Sequence, residues 1–245
     1  ERLSSGLRIN RAADDAAGLA VSETMRSKIR GMNVASRNAQ DGVSLVQVAD
    51  GALGNVGDML QRVRDLAVQA ANGTLTDAQR GNLDAEVQQV IKEINNTGSE
   101  TEFNGIKLLS GSVAVSAVTL QVGADKGQEI GFTIGTISAG ALTIGTLKVS
   151  SMTFAQEAIA SIDDAIKAIT TRRADLGAIQ NRLEQTIGRL GLTSENLQAS
   201  ESRIRDADMA AEMIGFTKNQ ILQQSGMAML SQANSAPQGV LSLLR

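Results

Sequence analysis

Apolar residues recur at every seventh position along two long stretches of this chain. One series comprises Met25, Met32, Ala39, Val46, Leu53, Leu60 and Ala67, and the other comprises Ile162, Ile169, Leu176, Leu183, Leu190, Leu197 and Ile204. A seven-residue repeat keeps apolar side chains on one side of a helix and is typical of helices that pack as in a coiled coil. The pattern therefore predicts two long amphipathic helices, and the first, of roughly 50 residues, is ~75 Å long at the usual rise per residue.

Local signals place a shorter helix after the first long one. Asn72-Gly73 ends the long helix, because glycine readily adopts the left-handed conformation that closes a helix. Thr76 and Gln79 then have the spacing of a capping box. The apolar face of this shorter helix is formed by Leu83, Val87, Val90 and Ile94.

Between Gly98 and Ser151 the pattern changes toward the two-residue alternation of strands. Residues 118–122 alternate, residues 123–127 supply a turn, and Thr-Ile-Gly-Thr occurs at 133–136 and again at 143–146. These features predict two or three short strands in hairpins. Because this insert separates two helices of similar length, the chain doubles back and the long helices are expected to pack antiparallel. The predicted fold class is mainly α with a small β insert, an antiparallel coiled-coil-like helical rod with a β-hairpin tip.

The composition removes most catalytic chemistry. The 245 residues include no Cys, His, Trp or Tyr. The chain therefore has no thiol nucleophile, no Ser-His-Asp triad and no zinc site of the Cys/His kind. Asp14-Asp15 and Asp163-Asp164 are adjacent pairs, whose side chains point in different directions on a helix. We predict no enzyme activity, catalytic residue, cofactor or metal site, and a net charge of −3 gives no general attraction to nucleic acid.

The C-terminal segment is apolar and almost uncharged. From Met213 to Leu244 the only charged residue is Lys218. Frequent amide side chains interrupt the apolar residues, so no run approaches the ~20 residues of a membrane span. We expect instead a helix that is buried against other helices, and copies of the same chain are the expected partners. The apolar residues predicted to form this assembly surface include Ile214, Phe216, Ile221, Leu222, Leu230, Val240, Leu241, Leu243 and Leu244.

Residues 61–66 place Arg62 and Arg64 beside the apolar row of the first long helix. Two interpretations stand at this point. The arginines belong either to a surface of ion pairs or to a recognition patch, since arginine next to leucine is a frequent anchor of interfaces.

Several long motifs resemble bacterial flagellin. They are Glu-Arg-Leu-Ser-Ser-Gly-Leu-Arg-Ile-Asn at 1–10, Asp-Asp-Ala-Ala-Gly at 14–18, Ala-Ser-Arg-Asn-Ala-Gln-Asp-Gly at 35–42, residues 60–69, Phe-Asn-Gly at 103–105, Ser-Arg-Ile-Arg-Asp-Ala-Asp at 202–208, Gln-Ala-Asn at 232–234 and residues 240–245. The resemblance covers roughly residues 1–110 and 155–245, and leaves the insert, which varies within the family.

The resemblance implies a structural subunit of the flagellar filament. Such a subunit is secreted through the flagellar type III export apparatus, polymerises under a cap protein into an extracellular tube for motility, and is bound by an export chaperone at its C-terminal arm. The resemblance also implies recognition of the monomer by the Toll-like receptor for flagellin. The contact motif of the family for that receptor falls on Gln61, Arg62, Leu66 and Glu86.

The resemblance also suggests a division of the chain. Residues 1–18 would be the remnant of an N-terminal arm and connector, 19–110 and 154–205 the two halves of the helical rod domain, 111–153 the variable β insert, and 206–245 the C-terminal arm in the filament core. Flagellins normally have a few tens of residues before the position of Glu1, so the N-terminal arm is expected to be missing. The alternatives are a hook–filament junction protein and a cell-surface adhesin or polysaccharide receptor that uses the insert as its binding surface.

Overall fold

The structure, a computed structural model, describes residues 1–111 and 117–243, with side chains through residue 233. This part of the chain contains five helices, α1 (Arg2–Ser5), α2 (Ala16–Ala70), α3 (Asp77–Glu100), α4 (Met152–Arg205) and α5 (Met209–Leu243). Its four strands are β1 (Glu102–Phe103), β2 (Ile106–Lys107), β3 (Val118–Gln121) and β4 (Glu129–Phe132). The chain divides into a larger unit, Arg30–Thr193, and a smaller unit made of Glu1–Ile29 and Ser194–Arg245.

Helices α2 and α4 pack antiparallel in the larger unit, as the sequence predicted. Asp50 pairs with Arg173 at 2.8 Å, and further along α2 Arg64 pairs with Asp163 at 2.7 Å, so that rising numbers on α2 meet falling numbers on α4. The core between them contains the predicted heptad residues, including Ala39, Val46, Leu53, Leu60, Ala67, Ile162, Ile169, Leu176 and Leu183. The fold class, mainly α with a small β insert, is confirmed.

The ends of α2 are fixed by side chains that take up its terminal backbone groups. Asp15 accepts a hydrogen bond from the amide of Gly18 at 2.9 Å, so α2 begins nine residues before Met25, the first residue of the heptad series. At the other end, Arg80 of α3 donates to the carbonyls of Ala70 at 2.9 Å and Asn72 at 3.1 Å. This guanidinium is buried, and its positive charge lies where the helix dipole favours a cation.

The turn into α3 follows the predicted capping box. The hydroxyl of Thr76 accepts from the amide of Gln79, and the side chain of Gln79 accepts from the amide of Thr76. Two donors that the start of a helix leaves unpaired are thereby satisfied.

Strands β3 and β4 form the predicted antiparallel hairpin, with Val118 opposite Phe132 and Gln121 opposite Glu129. The hairpin lies close to α2 because Gly42 has no side chain, and a Cβ there would overlap Leu120. Asn38 of α2 donates to the carbonyl of Gln121 at 3.1 Å. Residues 112–116 of the predicted insert lie outside the described residues.

The expectation that the repeated Thr-Ile-Gly-Thr forms strands is wrong. Residues 133–149, all of which the structure describes, contain no strand. Polar side chains on one side of α3 bind this backbone instead, since Asn95 accepts from the amide of Ala139 at 2.8 Å and Asp84 from that of Val149 at 2.7 Å. The apolar side chains of the segment, including Ile134, Ile137, Leu142, Ile144, Leu147 and Val149, are buried.

In the smaller unit a short N-terminal stretch contacts the break between α4 and α5. We call residues 6–8 the N-terminal strap. Leu7 of the strap forms an isolated antiparallel bridge with Asp206, which lies between the two helices. A salt bridge also joins α4 to α2, between Arg205 and Glu23 at 2.8 Å.

Candidate interaction surfaces

Helix α5 presents large apolar side chains to solvent. The exposed fraction is 70% for Ile214, 53% for Phe216, 59% for Ile221, 58% for Leu222 and 65% for Leu230. These five residues all belong to the assembly surface that the sequence predicts. The side chains of the other four predicted members, Val240, Leu241, Leu243 and Leu244, lie outside the described residues.

The apolar residues of α5 are distributed around the helix and do not form a single stripe. Ile214, Leu222 and Leu230 are spaced by eight, so each is rotated by about 80° from the previous one at 3.6 residues per turn. Phe216 lies on the remaining part of the circumference. A helix that is apolar all round is stable in water only when neighbours cover several of its sides.

The start of α5 is held by local hydrogen bonds. Asp208 accepts from the amides of Ala210 at 2.9 Å and Ala211 at 3.3 Å, which makes it the cap of the helix. Arg2 of α1 pairs with Glu212 in the first turn at 3.3 Å. Side chains therefore fix the orientation of the first turn of α5.

A second candidate surface lies in the larger unit, where α2 and α3 run side by side. Arg62 donates to one carboxylate oxygen of Glu86 from Nε at 3.1 Å and from Nη2 at 2.6 Å. The two side chains remain 58% and 44% exposed, and Gln61 beside them is also exposed. This arrangement agrees with both interpretations of the arginines, because the pair is an ion pair on the surface and is also accessible to a partner.

Leu66 occupies a different environment from the other three residues of the predicted receptor motif. Its side chain is only 2% exposed and belongs to the hydrophobic core. Leu66 therefore packs beneath the backbone of α2, and only Gln61, Arg62 and Glu86 of the four predicted residues lie at the surface. We call these three exposed residues the Arg62 patch.

The other arginine of the stretch has a separate partner. Arg64 donates to Asp163 of α4, and this hydrogen bond and charge raise the pKa of the guanidinium. Arg173 is held in the same way by Asp50, which raises its pKa. These pairs join α2 to α4, while the Arg62 patch joins α2 to α3, so neighbouring arginines serve different contacts.

Sequence reasoning missed several of the polar residues that organise the molecule. Arg80 caps α2, Asp208 caps α5, and Arg8 contacts the end of α4. Asp208 directly precedes the apolar residues of α5, and this position in the sequence indicates a helix cap. The contacts of Arg8 join residues about two hundred positions apart and leave no local pattern in the sequence.

The described residues were compared with the requirements of a metal site and of a membrane-spanning helix. Within residues 1–111 and 117–243, no three His, Cys, Asp or Glu side chains come together as metal ligands. In the same part of the chain, none of the helices combines the length and the apolar character that crossing a bilayer requires.

Comparison with protein families identifies both helical ends of the chain. Residues 1–114 match the bacterial flagellin N-terminal helical region, and residues 159–244 match the bacterial flagellin C-terminal helical region. This chain belongs to the bacterial flagellin family. Flagellins are structural proteins of the flagellar filament. The residues between the two matches include both the β3–β4 hairpin and the segment bound by α3.

Individual flagellins are similar to this chain in sequence and in structure. The flagellar filament 33 kDa core protein of Treponema phagedenis is 50% identical, with 100% of this chain and 91% of that protein aligned. A flagellin of Halalkalibacterium halodurans is 53% identical over 100% of this chain and 90% of its own length. The crystal structure of Bacillus cereus flagellin is 34% identical and superposes with a TM-score of 0.56 over 63% of this chain and 88% of that chain.

Proposed function

We propose that this chain is the repeating, non-enzymatic subunit of a bacterial flagellar filament, which is exported from the cell and assembles with itself into a helical tube for motility. The observation that carries the proposal is the apolar surface of α5, where residues such as Ile214 and Leu230 are 70% and 65% exposed. The name of the Treponema phagedenis relative, a flagellar filament core protein, supports the same assignment.

The distribution of apolar residues on α5 favours a tube over a simple dimer. Full burial of a Leu, Ile or Phe side chain contributes about 1.5–3 kcal/mol, so covering residues that are more than half exposed contributes about 1–2 kcal/mol each. One flat partner covers one side of a helix. Because Ile214, Leu222 and Leu230 point in different directions, only several neighbours bury all of them.

Assembly is tested with a charge placed in this surface. Leu222→Asp should abolish filaments, because packing would bury an unpaired carboxylate. Leu222→Met is the matched control, since it keeps the volume and the apolar character and should polymerise. Both variants are made in this chain and in the same chain extended by the segment that precedes the position of Glu1 in flagellins.

The readout is negative-stain electron microscopy after precipitation with ammonium sulfate. Tubular filaments from the parent and from Leu222→Met, but not from Leu222→Asp, are the expected result. If no version forms tubes while the Halalkalibacterium halodurans flagellin polymerises under the same conditions, the filament proposal fails and a hook–filament junction protein becomes the better assignment.

We further propose that an export chaperone covers α5 before assembly and that a filament cap protein receives the subunit at the growing tip. The exposed apolar side chains of α5 support the first partner, since such a surface associates nonspecifically unless it is covered. Leu222→Asp should weaken binding of a flagellin export chaperone in isothermal titration calorimetry. Equal affinity of the parent and this variant would move the chaperone site away from Leu222.

We also propose that the Arg62 patch is the contact for the Toll-like receptor that senses flagellin, with Leu66 supporting it from the core. The exposure of Arg62 and its fixed position against Glu86 support this role, because a pre-positioned arginine loses less entropy on binding.

Arg64→Ala is the matched control for Arg62→Ala, since both changes remove an arginine from an ion pair on α2. An arginine hot spot contributes ~2 kcal/mol or more. Arg62→Ala should therefore raise the half-maximal concentration in a receptor reporter assay by about 30-fold, and Arg64→Ala should leave it nearly unchanged. Equal effects of the two changes would remove the patch assignment.

A further inference from the structure

The break between α4 and α5 lacks the residues that usually end a helix. Residues 201–213 read Glu-Ser-Arg-Ile-Arg-Asp-Ala-Asp-Met-Ala-Ala-Glu-Met, without Gly or Pro. Helix α4 nevertheless ends at Arg205 and α5 begins at Met209. Asp208 caps the start of α5, but without Gly or Pro the end of α4 requires partners from outside the local sequence.

One contact that interrupts the helix is made by a backbone carbonyl of the N-terminal strap. In a continuous helix the amide of Ala207 would donate to the carbonyl of Arg203, four residues earlier. It donates instead to the carbonyl of Gly6 at 2.9 Å. Gly6 has a φ of 70°, a left-handed conformation that glycine adopts without strain, and this conformation ends α1.

The other contacts that interrupt the helix are made by Arg8, which binds two backbone carbonyls at the end of α4. In a continuous helix the carbonyls of Ile204 and Arg205 would accept from Asp208 and Met209. Here the guanidinium of Arg8 donates to the carbonyl of Ile204 at 2.6 Å from Nη2 and 3.2 Å from Nε. The backbone amide of Arg8 donates to the carbonyl of Arg205 at 2.6 Å.

The strap thus replaces the helical partners of three backbone groups at the break. A helix end normally obtains such partners from its own caps or from water. In this chain Asp208 caps the α5 side, while Gly6 and Arg8, about two hundred residues away in sequence, complete the α4 side. The side chain of Arg205 is also anchored, because it pairs with Glu23 and is only 13% exposed.

We propose that the N-terminal strap holds apart two halves of what is intrinsically one helix, and that release of the strap allows α4 and α5 to join through residues 206–208. The strap is therefore a conformational switch within the smaller unit. In both states the same three backbone groups are hydrogen-bonded, and only their partners differ. The two states are therefore similar in the number of hydrogen bonds that these groups make. Any partner that captures residues 6–8 shifts the equilibrium toward the continuous helix.

Two variants test the switch in opposite ways. Arg8→Pro removes both the guanidinium and the backbone amide that bind α4, and so weakens the strap. The double change Asp206→Ala and Asp208→Ala leaves the strap intact, removes the cap of α5 and raises helix propensity in the break. Arg11→Ala is the control, since Arg11 lies just beyond the strap and its side chain contacts Glu1.

The readout is the Cα chemical shift of residues 206–208 by nuclear magnetic resonance in the full chain. Non-helical shifts are expected in the parent, in Arg11→Ala and in the double alanine variant, in which the strap is intact, and helical shifts are expected in Arg8→Pro. Helical shifts in the double alanine variant would assign the break to the two aspartates and overturn the proposal. Parent-like or random-coil shifts in Arg8→Pro also overturn it.

Discussion

Leu183 offers a direct measure of how much the heptad core stabilises the larger unit. This side chain is fully buried in the cluster between α2 and α4. Leu183→Ala removes the packing of the side chain and leaves a cavity that the long helices can close only in part. Such changes cost about 2–5 kcal/mol, and we expect ~3 kcal/mol here. For a unit of this size that loss lowers the midpoint of thermal unfolding by about 6–12 °C.

The assay is urea unfolding followed by far-ultraviolet circular dichroism, with thermal scans as a second measurement. Leu192→Ala is the matched control, because Leu192 lies on the same helix but is 66% exposed. An exposed position of this kind should change the free energy of unfolding by no more than about 0.5 kcal/mol. If the free energies of unfolding of the two variants differ by less than ~1 kcal/mol, packing in the heptad core is not the main contribution to the stability of α4.

Two further predictions follow from close packing and from charge. Gly98→Ala should destabilise the larger unit by about 1–3 kcal/mol in the same urea assay, because a Cβ would overlap the carbonyl oxygen of Ile137. Gly188→Ala, at an open helical position, should stabilise it by up to ~1 kcal/mol, and equal effects would contradict the overlap. The hydrogen bond from Arg205 lowers the pKa of Glu23 below its ordinary value of 4.5. The stability that this pair contributes is therefore present above pH 4.5 and is lost as pH falls through the lowered pKa. Glu23→Gln should flatten the dependence of the free energy of unfolding on pH in that range. An unchanged dependence would exclude the pair as its source.

The helices of the larger unit were predictable because their stabilising contacts follow a repeat in the sequence. A strict seven-residue spacing located the buried side of α4 from Ile162 through Leu190. Beyond Leu190 the same repeat continues, but Leu197 and Ile204 are only partly buried. The repeat shows which side of a helix is apolar, whereas the burial of that side depends on how many neighbouring elements reach it.

The wrong expectation for residues 133–149 has a definite physical origin. Alternation of apolar and polar residues identifies an extended chain, but it does not identify the partner of the backbone. Here those partners are side chains of α3, among them Asp84, Gln88 and Asn95, which looked like ordinary solvent-exposed residues of an amphipathic helix. An extended segment bound by a helix and a strand in a sheet leave similar patterns in a single sequence.

The candidate surfaces were predictable to different degrees. The apolar character of α5 is a matter of composition and needed no contacts. The pairing of Arg62 with Glu86 depends on the register of α2 against α3, which the sequence does not specify. The burial of Leu66 was easier to predict from the sequence, because this residue is adjacent to Ala67 of the heptad series.

The antiparallel pairing of α2 with α4 has a consequence for the order of folding. Arg64 and Asp163 are separated by 99 positions and Asp50 and Arg173 by 123, so the core is built from contacts between distant parts of the chain. Contacts of this kind require closure of a long loop before they contribute any stability, and they slow folding. A chain that emerges from its N terminus thus exposes the apolar side of α2 until Leu183 and Leu190 have followed. Folding of the larger unit is necessarily a late event, completed after most of the polypeptide is free.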